Sequence, residues 1–219
     1  MLFRSANPYD HTRLTDKNIQ NYILSSHLNY GDITLKSVNQ LAIQPFLQED
    51  FRLNQGSCSI ASIATCIYYH CPQSYDINVI YAAVEAIASR YFYKPSGYGV
   101  PPIFIRIIYE KALDYFQLPH KEIKSKYINH IGFNYKTIKE QINQKNPVIL
   151  SLFNDSRNYY KSHTVTVIGY AEFNLLDNFT QTILYQKKIK HMLLVYDNWT
   201  KEVSYIDPDI ISPISSIVF

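Results

Sequence analysis

The order of periodic segments along the chain is the feature that most limits its fold. Segments with apolar residues at helical spacing come first, and β-branched runs dominate after Asn146-Pro147. The main predicted helices cover about 58–70, 77–91, 103–116 and 135–144, and the predicted strands cover 148–153, 164–173, 182–188, 192–196 and 203–206. Helices followed by strands predict an α+β domain, in which a helical lobe packs against an antiparallel β-sheet lobe.

The length of the chain fits a single domain. Its 219 residues are enough to bury a full core without a metal or disulfide framework. We expect residues 1–45 to form an N-terminal arm that packs across the domain, 46–130 a helical lobe and 131–219 a β lobe. Within the arm, 18–28 is predicted as a short helix and 33–41 as a strand or turn.

Composition argues against several classes of function. The net charge is +3 with scattered Lys and Arg, which gives no electrostatic case for binding nucleic acid. No apolar run approaches the ~20 residues of a membrane span, and residues 1–20 are polar and do not resemble a signal peptide. We therefore expect a soluble protein, and its location, in the cytoplasm or secreted or delivered to a host, stays open. The three cysteines lack the paired spacing of zinc sites, so we expect no metal and no cofactor. Because their number is odd, at least one thiol must stay free.

One of those cysteines lies where a polar loop becomes an apolar helix. The stretch Gln55-Gly56-Ser57-Cys58 precedes the first predicted helix of the lobe, with Ser57 as a candidate N-cap. A thiol in the first helical turn faces unpaired amides and the positive end of the helix dipole, which lowers its pKa and favours the thiolate. Cys58 is therefore a candidate nucleophile, although a lone cysteine is more commonly a small buried hydrophobe.

A cysteine nucleophile needs a base and a group that orients the base. His163 opens a β-branched strand directly after a loop, so it is held rigidly at the mouth of a cleft. A later strand ends in Asp197-Asn198-Trp199, which supplies side-chain hydrogen-bonding groups and the single tryptophan. Each of these is by itself more often structural, but Cys, His and Asn in this order indicate a catalytic set.

These motifs resemble the papain-like cysteine peptidases. The features are Gln-Gly-Ser-Cys before an Ala/Ser/Ile helix, a strand-opening His with Val-Ile-Gly-Tyr after it, and a later Asn-Trp. The resemblance is nearest to bacterial branches such as streptopain and the bacteriocin-leader (C39-like) peptidases, and it covers about residues 50–200. It implies a papain-like fold and a peptide or protein substrate.

The resemblance also implies a role for each residue. Cys58 would be the nucleophile, His163 the general base and acid, and Asn198 the residue that orients the histidine. Asp197 is the alternative orienting residue, since bacteriocin-leader relatives use Asp there. Trp199 would shield the His–Asn hydrogen bond from water.

The oxyanion-hole donor departs from the family pattern. Papain-like enzymes place a Gln about six residues before the cysteine, where this chain has Arg52. We favour Gln55, because the neighbouring Gly56 permits the sharp turn that brings an amide back towards the sulfur. Gln48 and Asn54 are the alternatives.

A second loop is a weaker candidate for the substrate cleft. Gly97 and Gly99 lie in a Gly/Pro-rich turn, where related folds line the cleft with backbone. Extended peptide could pair with such backbone, and an ordinary turn between helices is at least as good an interpretation.

The function expected from these residues is a cysteine peptidase that cleaves peptide or isopeptide bonds through a thioester. An acyltransferase, transglutaminase or deamidase would use the same Cys-His-Asn/Asp site, because water or an amine can attack the same intermediate. A catalytically silent papain-like binding module is the alternative from another class.

Overall fold

The sequence folds into helices packed on an antiparallel sheet. The structure, a computed structural model, describes residues 12–27, 30–48, 56–72, 74–94, 99–119, 123–127, 135–152, 159–160, 162–177, 188–212 and 215–219. Within these ranges there are five α-helices and a seven-stranded sheet, which confirms the predicted α+β class. The helices are α1 (Ile19–Ser26), α2 (Cys58–His70), α3 (Ile77–Ala88), α4 (Pro102–Tyr115) and α5 (Tyr135–Asn143). The strands are β1 (Tyr30–Gln40), β2 (Ser125–Tyr127), β3 (Val148–Leu152), β4 (His163–Asp177), β5 (Lys188–Tyr196), β6 (Ser204–Ile206) and β7 (Ser216–Val218).

Strand β4 is the axis of the sheet. The strand order is β2-β7-β3-β4-β5-β6, and β1 also pairs with β4. The first part of β4 pairs with β3, and from Gly169 onward the same side pairs with β1. At this changeover a Cβ on Gly169 would lie 2.4 Å from the carbonyl oxygen of Asn39, so only glycine lets the two backbones approach this closely.

Helices cover both faces of the sheet. Consecutive residues of β3 point to opposite faces, and they belong to different hydrophobic clusters: Val148 and Leu150 to one, Ile149 to the other. The first cluster packs α1 and α5 on the sheet, and the second packs α2, α3 and α4 on it. Helix α2 is sandwiched between the sheet and the other helices of its cluster, since Ile60, Ile63 and Ile67 have no exposed surface. In the described part of the chain, no helix is long and apolar enough to cross a membrane.

Most of the predicted elements are present, with instructive exceptions. The four main helices lie where the periodicity predicted them, and α1 matches the predicted short helix of the arm. The predicted strand 182–188 lies outside the described residues except for Lys188, which begins β5. Strands β2 and β7 were not predicted, because three-residue strands carry too little periodicity to detect. The division into an arm and two lobes stays a prediction.

A buried carboxylate on β4 makes the stability of the fold depend on pH. Glu172 forms ion pairs with Lys139 at 2.5 Å and with Lys36 at 3.4 Å, and Ser37 donates to it at 3.0 Å. Burial would raise the pKa of this carboxyl, but these partners outweigh it and lower the pKa from 4.5 to about 2. A carboxyl whose pKa is lower in the folded state stabilises the fold at any pH above its unfolded-state pKa. This stabilisation is lost as the pH falls from the unfolded-state pKa to the folded-state pKa.

We therefore expect an acid-dependent loss of stability that Glu172→Gln removes. A pKa moved from 4.5 to about 2 corresponds to roughly 3 kcal/mol, fully present at neutral pH and lost between pH 4.5 and about 2. Urea unfolding at a series of pH values across this range measures the free energy of unfolding. We expect Glu172→Gln to be less stable than the wild type at pH 7 and to lose no such stability as the pH falls. Glu140→Gln, on an exposed carboxylate of α5, is the control. An unchanged acid profile in Glu172→Gln would contradict the assignment.

Candidate active site

Cys58 is the first residue of α2, at the point where this helix meets the sheet. Ser57 holds the N-cap position, although its hydroxyl makes no capping hydrogen bond. Small polar residues of α2 attach its first two turns to the start of β4: the Ser59 hydroxyl lies 2.9 Å from the Thr164 hydroxyl, and Ser62 donates to the Thr164 carbonyl at 3.2 Å. The helix start is thus fixed against the strand that follows His163.

His163 is the first residue of β4 and is buried. Because β4 and β5 are antiparallel, the start of β4 lies beside the end of β5, which brings His163 next to Asp197. The Nε2 atom of His163 lies 2.7 Å from the main-chain carbonyl oxygen of Asp197. A carbonyl only accepts, so Nε2 carries the hydrogen, and Nδ1 is left for the hydrogen bond with Cys58.

The thiol of Cys58 differs electrostatically from the other two. Burial would raise its pKa, but the hydrogen bond and charge of His163, with hydrogen bonds from Thr164, lower the pKa from 9.0 to about 7. Tyr93 also lies within electrostatic range of this sulfur. Burial raises the pKa of the Cys66 and Cys71 thiols. Of the three free cysteines, only Cys58 has the environment of a nucleophile at neutral pH.

Two aromatic rings flank the imidazole. The Trp199 ring lies 4.1 Å from the His163 ring between centroids, tilted by 32°, and 43% of Trp199 is exposed. The Tyr160 ring stacks on His163 at 5.6 Å with an interplanar angle of 16°. Trp199 thus covers one side of the imidazole while part of its own ring faces solvent, and its role in shielding a His–Asn hydrogen bond stays a prediction.

In the turn after β5, the side chains of Asp197 and Asn198 make other hydrogen bonds than the ones to His163 that the resemblance implied. The Asn198 amide nitrogen donates to the Ser62 hydroxyl at 2.9 Å rather than to His163, and Asn198 adopts a left-handed φ of 61°. The Asp197 carboxylate accepts from the backbone N–H groups of Trp199 and Thr200 at 3.0 and 3.1 Å. The contact with His163 comes instead from the Asp197 carbonyl. The orienting role of either side chain stays a prediction.

Of the candidate oxyanion donors, only Gln48 falls within the described residues. Gln55 and Asn54 lie outside them, as does Gly97 of the proposed cleft loop. The backbone N–H of Gln48 donates to the Asn198 carbonyl at 2.8 Å. The Gln48 Nε2 atom is buried, and no hydrogen-bond partner for it lies among the described residues. An unpaired buried donor is costly, and a catalytic role is one explanation for it.

Gly99 lies directly against the turn that leads to the nucleophile. It has a left-handed φ of +74°, and a Cβ at this position would lie 2.4 Å from the Gly56 carbonyl oxygen. Both observations require glycine. Its backbone therefore supports the turn that precedes Cys58, and a role in binding substrate stays a prediction.

Gly99→Ala is expected to disturb the nucleophile turn. The added methyl group must displace the Gly56 backbone, at a cost of ~1–3 kcal/mol as for other overpacked sites. We expect a lower melting temperature together with slower alkylation of Cys58. Gly169→Ala is the matched control, since its Cβ would meet the Asn39 carbonyl oxygen at the same 2.4 Å, in the part of β4 that pairs with β1. Loss of stability in both variants with unchanged alkylation in Gly99→Ala would contradict this role.

Three residues of the site were missed from sequence. Thr164 contacts both Cys58 and α2, Tyr160 packs on His163, and Arg13 binds the Asp197 carboxylate. Tyr160 and Thr164 flank the histidine within three positions, so a search of its neighbours could have found them. Arg13 precedes Asp197 by 184 residues, and no local pattern connects them.

The described residues contain no group of three or more His, Cys, Asp or Glu side chains that could hold a metal ion. What the site does contain can perform acyl transfer: a thiol with a pKa of about 7, a histidine with one ring nitrogen free to exchange a proton, and helix-start amides beside them.

Comparison with known proteins identifies a family for this chain. The model of the Peptidase_C39 like family matches residues 38–205, about three quarters of the chain. No curated protein matches the chain. The match spans Cys58, His163 and the Asp197 turn, and it leaves α1 and most of β1 outside. The chain therefore belongs to the Peptidase_C39 like family and has a cysteine peptidase-like, papain-like fold.

Proposed function

We propose that the protein is a cysteine peptidase that cleaves peptide or isopeptide bonds through a thioester acyl-enzyme. The observation that carries the proposal is the pairing of Cys58 at the start of α2 with His163 at the start of β4, in which the pKa of the thiol falls to about 7. A buried thiol without such a partner would have a raised pKa, as Cys66 has.

In the first half-reaction Nδ1 of His163 takes the Cys58 proton, and the thiolate attacks the carbonyl carbon of the scissile bond. The oxyanion that forms is bound by the Cys58 N–H, which has no intrahelical acceptor, and by a side-chain amide. His163 then gives the proton to the leaving amine as the C–N bond breaks. The products of this step are a free amine and a thioester on Cys58.

In the second half-reaction water attacks the thioester. His163 accepts a proton from the water, the carbonyl becomes a carboxylic acid, and the proton returns to the Cys58 thiolate as the C–S bond breaks. An amine in place of water would complete an acyl transfer. Asp197, through its carbonyl, keeps the hydrogen on Nε2 in both halves and so leaves Nδ1 free for the proton being transferred.

Two variants separate the candidate orienting residues. We expect Asp197→Ala to lower turnover by up to ~100-fold, because the freed turn misplaces the carbonyl that holds His163. Asn198→Ala is expected to cost less, since its amide contacts Ser62 instead of the imidazole. Turnover and the pH midpoint of Cys58 alkylation measure both variants. A larger loss in Asn198→Ala would return the orienting role to Asn198.

The proposed function is tested with a library of unstructured peptides and detection of the products by mass spectrometry. We expect cleavage by the wild type and by Cys71→Ser, no cleavage by Cys58→Ala, and a covalent adduct of a peptidyl electrophile on Cys58. Hydroxylamine should capture the thioester as a hydroxamate. Products joined to an added amine, with no hydrolysis, would replace the peptidase proposal by acyl transfer. No cleavage and no adduct would leave a non-catalytic binding module.

A further inference from the structure

Arg13 lies in the arm, outside the residues that the family model matches, yet it contacts the turn beside the catalytic histidine. Its Nε atom donates to the Asp197 carboxylate at 2.8 Å, and its Nη2 atom donates to the Glu202 carbonyl at 2.9 Å and to the Thr200 hydroxyl. Nη1 lies 3.4 Å from the exposed Glu202 carboxylate. One guanidinium thus spans the whole turn after β5.

The arm holds Arg13 in this place through its own backbone contacts. The N–H of Tyr205 donates to the Leu14 carbonyl at 2.9 Å, which attaches the arm to β6. The Asn18 side chain donates to the Arg13 carbonyl at 3.0 Å and accepts from the Thr15 N–H at 2.7 Å. The Arg13 side chain is only 16% exposed, so its conformation is restricted by packing as well as by hydrogen bonds.

The carboxylate that Arg13 binds is fully buried and contacts both residues whose rings flank the imidazole. It accepts from the Tyr160 hydroxyl at 3.0 Å and from the backbone N–H of Trp199 at 3.0 Å. The side-chain rings of these two residues pack on His163. The same residue supplies the carbonyl that accepts from Nε2. Among the described residues, Arg13 is the one basic side chain that pairs with this carboxylate.

We propose that Arg13 is a positioning residue for His163: by pairing with the buried Asp197 carboxylate, it fixes the carbonyl and the two aromatic rings that orient the imidazole. The inference rests on the proposed function, in which His163 exchanges a proton with Cys58. Without Arg13 the carboxylate is left buried without a cation, which strongly destabilises the turn that holds it. We expect the turn to shift in response and His163 to be held less firmly.

The test measures two quantities in the full chain: the pH midpoint of Cys58 alkylation by iodoacetamide, and kcat and KM on a cleaved peptide. Arg13→Met is expected to lower kcat by ~10- to 100-fold with little change in KM, because the substrate contacts are unaltered. Its alkylation midpoint should rise from about 7 towards 9.0. Arg13→Lys should lie between, since an ammonium can pair with Asp197 but cannot also span the turn.

Two controls separate positioning from general stabilisation. Glu202→Gln removes only the exposed ion pair of Arg13, so it should leave the midpoint and kcat unchanged. Adding Arg13→Met to Asp197→Asn should cause little further shift of the midpoint, because the pair with Asp197 is the contact through which Arg13 acts on His163. A lower melting temperature alone would not move the midpoint.

A folded Arg13→Met protein with the wild-type midpoint and kcat would overturn the proposal, and so would fully additive effects in the double variant. If Arg13→Met does not fold, the alkylation of Cys58 in Arg13→Lys decides. A raised pH midpoint in Arg13→Lys supports the positioning role of Arg13, and the wild-type midpoint overturns it. Alkylation needs no substrate. A wild type that cleaves nothing but alkylates at Cys58 would therefore refute the peptidase proposal and leave the role of Arg13 testable.

Discussion

His163→Ala is expected to abolish the selective reactivity of Cys58 at neutral pH. Burial raises the pKa of this thiol, and the hydrogen bond and charge of His163 are the largest effects that lower it to about 7. With only the Thr164 hydrogen bonds left to oppose burial, the pKa of Cys58 should rise to about its ordinary value of 9.0. At pH 7 the thiolate fraction then falls to ~1%, and alkylation slows by roughly 50-fold or more.

Peptide turnover in the same variant should fall further than alkylation does. In the proposed mechanism His163 both generates the thiolate and protonates the leaving amine, and general acid catalysis typically contributes ~100- to 10,000-fold. The rates of both reactions, measured across pH on one preparation, separate the two roles. His70→Ala is the matched control, since His70 ends the same helix about 18 Å from Cys58 at ~1.5 Å per residue. Wild-type alkylation in His163→Ala would contradict the pairing.

Gln48→Ala is expected to slow turnover by ~100- to 1000-fold, the usual cost of losing an oxyanion donor. The backbone N–H of Gln48 donates to the Asn198 carbonyl, and its buried amide nitrogen has no partner within the described ranges. The Gln48 amide nitrogen would then be free to donate to the oxyanion, whose charge develops only in the transition state. Alkylation of Cys58 should hardly change, because no oxyanion forms in that reaction.

The comparison that decides between the donors is Gln48→Ala against Gln55→Ala. The sequence favours Gln55 for its closeness to the cysteine, whereas the unpartnered amide favours Gln48. Gln48→Glu is a useful third variant, since it keeps the shape of the side chain and replaces the donor by a carboxylate. A severe loss in Gln55→Ala with normal turnover in Gln48→Ala would restore the sequence-based assignment. Slowed alkylation in Gln48→Ala would indicate a structural role instead.

The parts of the site that local sequence determines were predictable. A helical period that begins at Cys58 and a β-branched run that begins at His163 define where two elements start. Ends of secondary-structure elements are where side chains are both rigid and accessible. The antiparallel pairing of β4 with β5 then brings Asp197 to His163, and the order of the motifs along the chain was consistent with this contact.

The parts that depend on tertiary contacts were not predictable. The Asn198 side chain contacts Ser62, which lies 136 residues earlier in the chain, and no residue pattern around Asn198 specifies that partner. Strand β7 inserts between β2 and β3, although it has only three residues and its partners are distant in sequence. Arg13 reaches Asp197 only because the arm pairs with β6 through Leu14. Each of these contacts joins residues that are distant in the sequence, so a local sequence pattern cannot predict it.

The most direct test of the Cys58–His163 pairing is the alkylation rate of each cysteine in the native wild type as a function of pH, located by peptide mass spectrometry. The account predicts that Cys58 reacts far faster than Cys66 and Cys71 at neutral pH, with a midpoint near 7. Equal rates at the three cysteines, faster labelling of Cys71, or a Cys58 midpoint near 9.0 would contradict it.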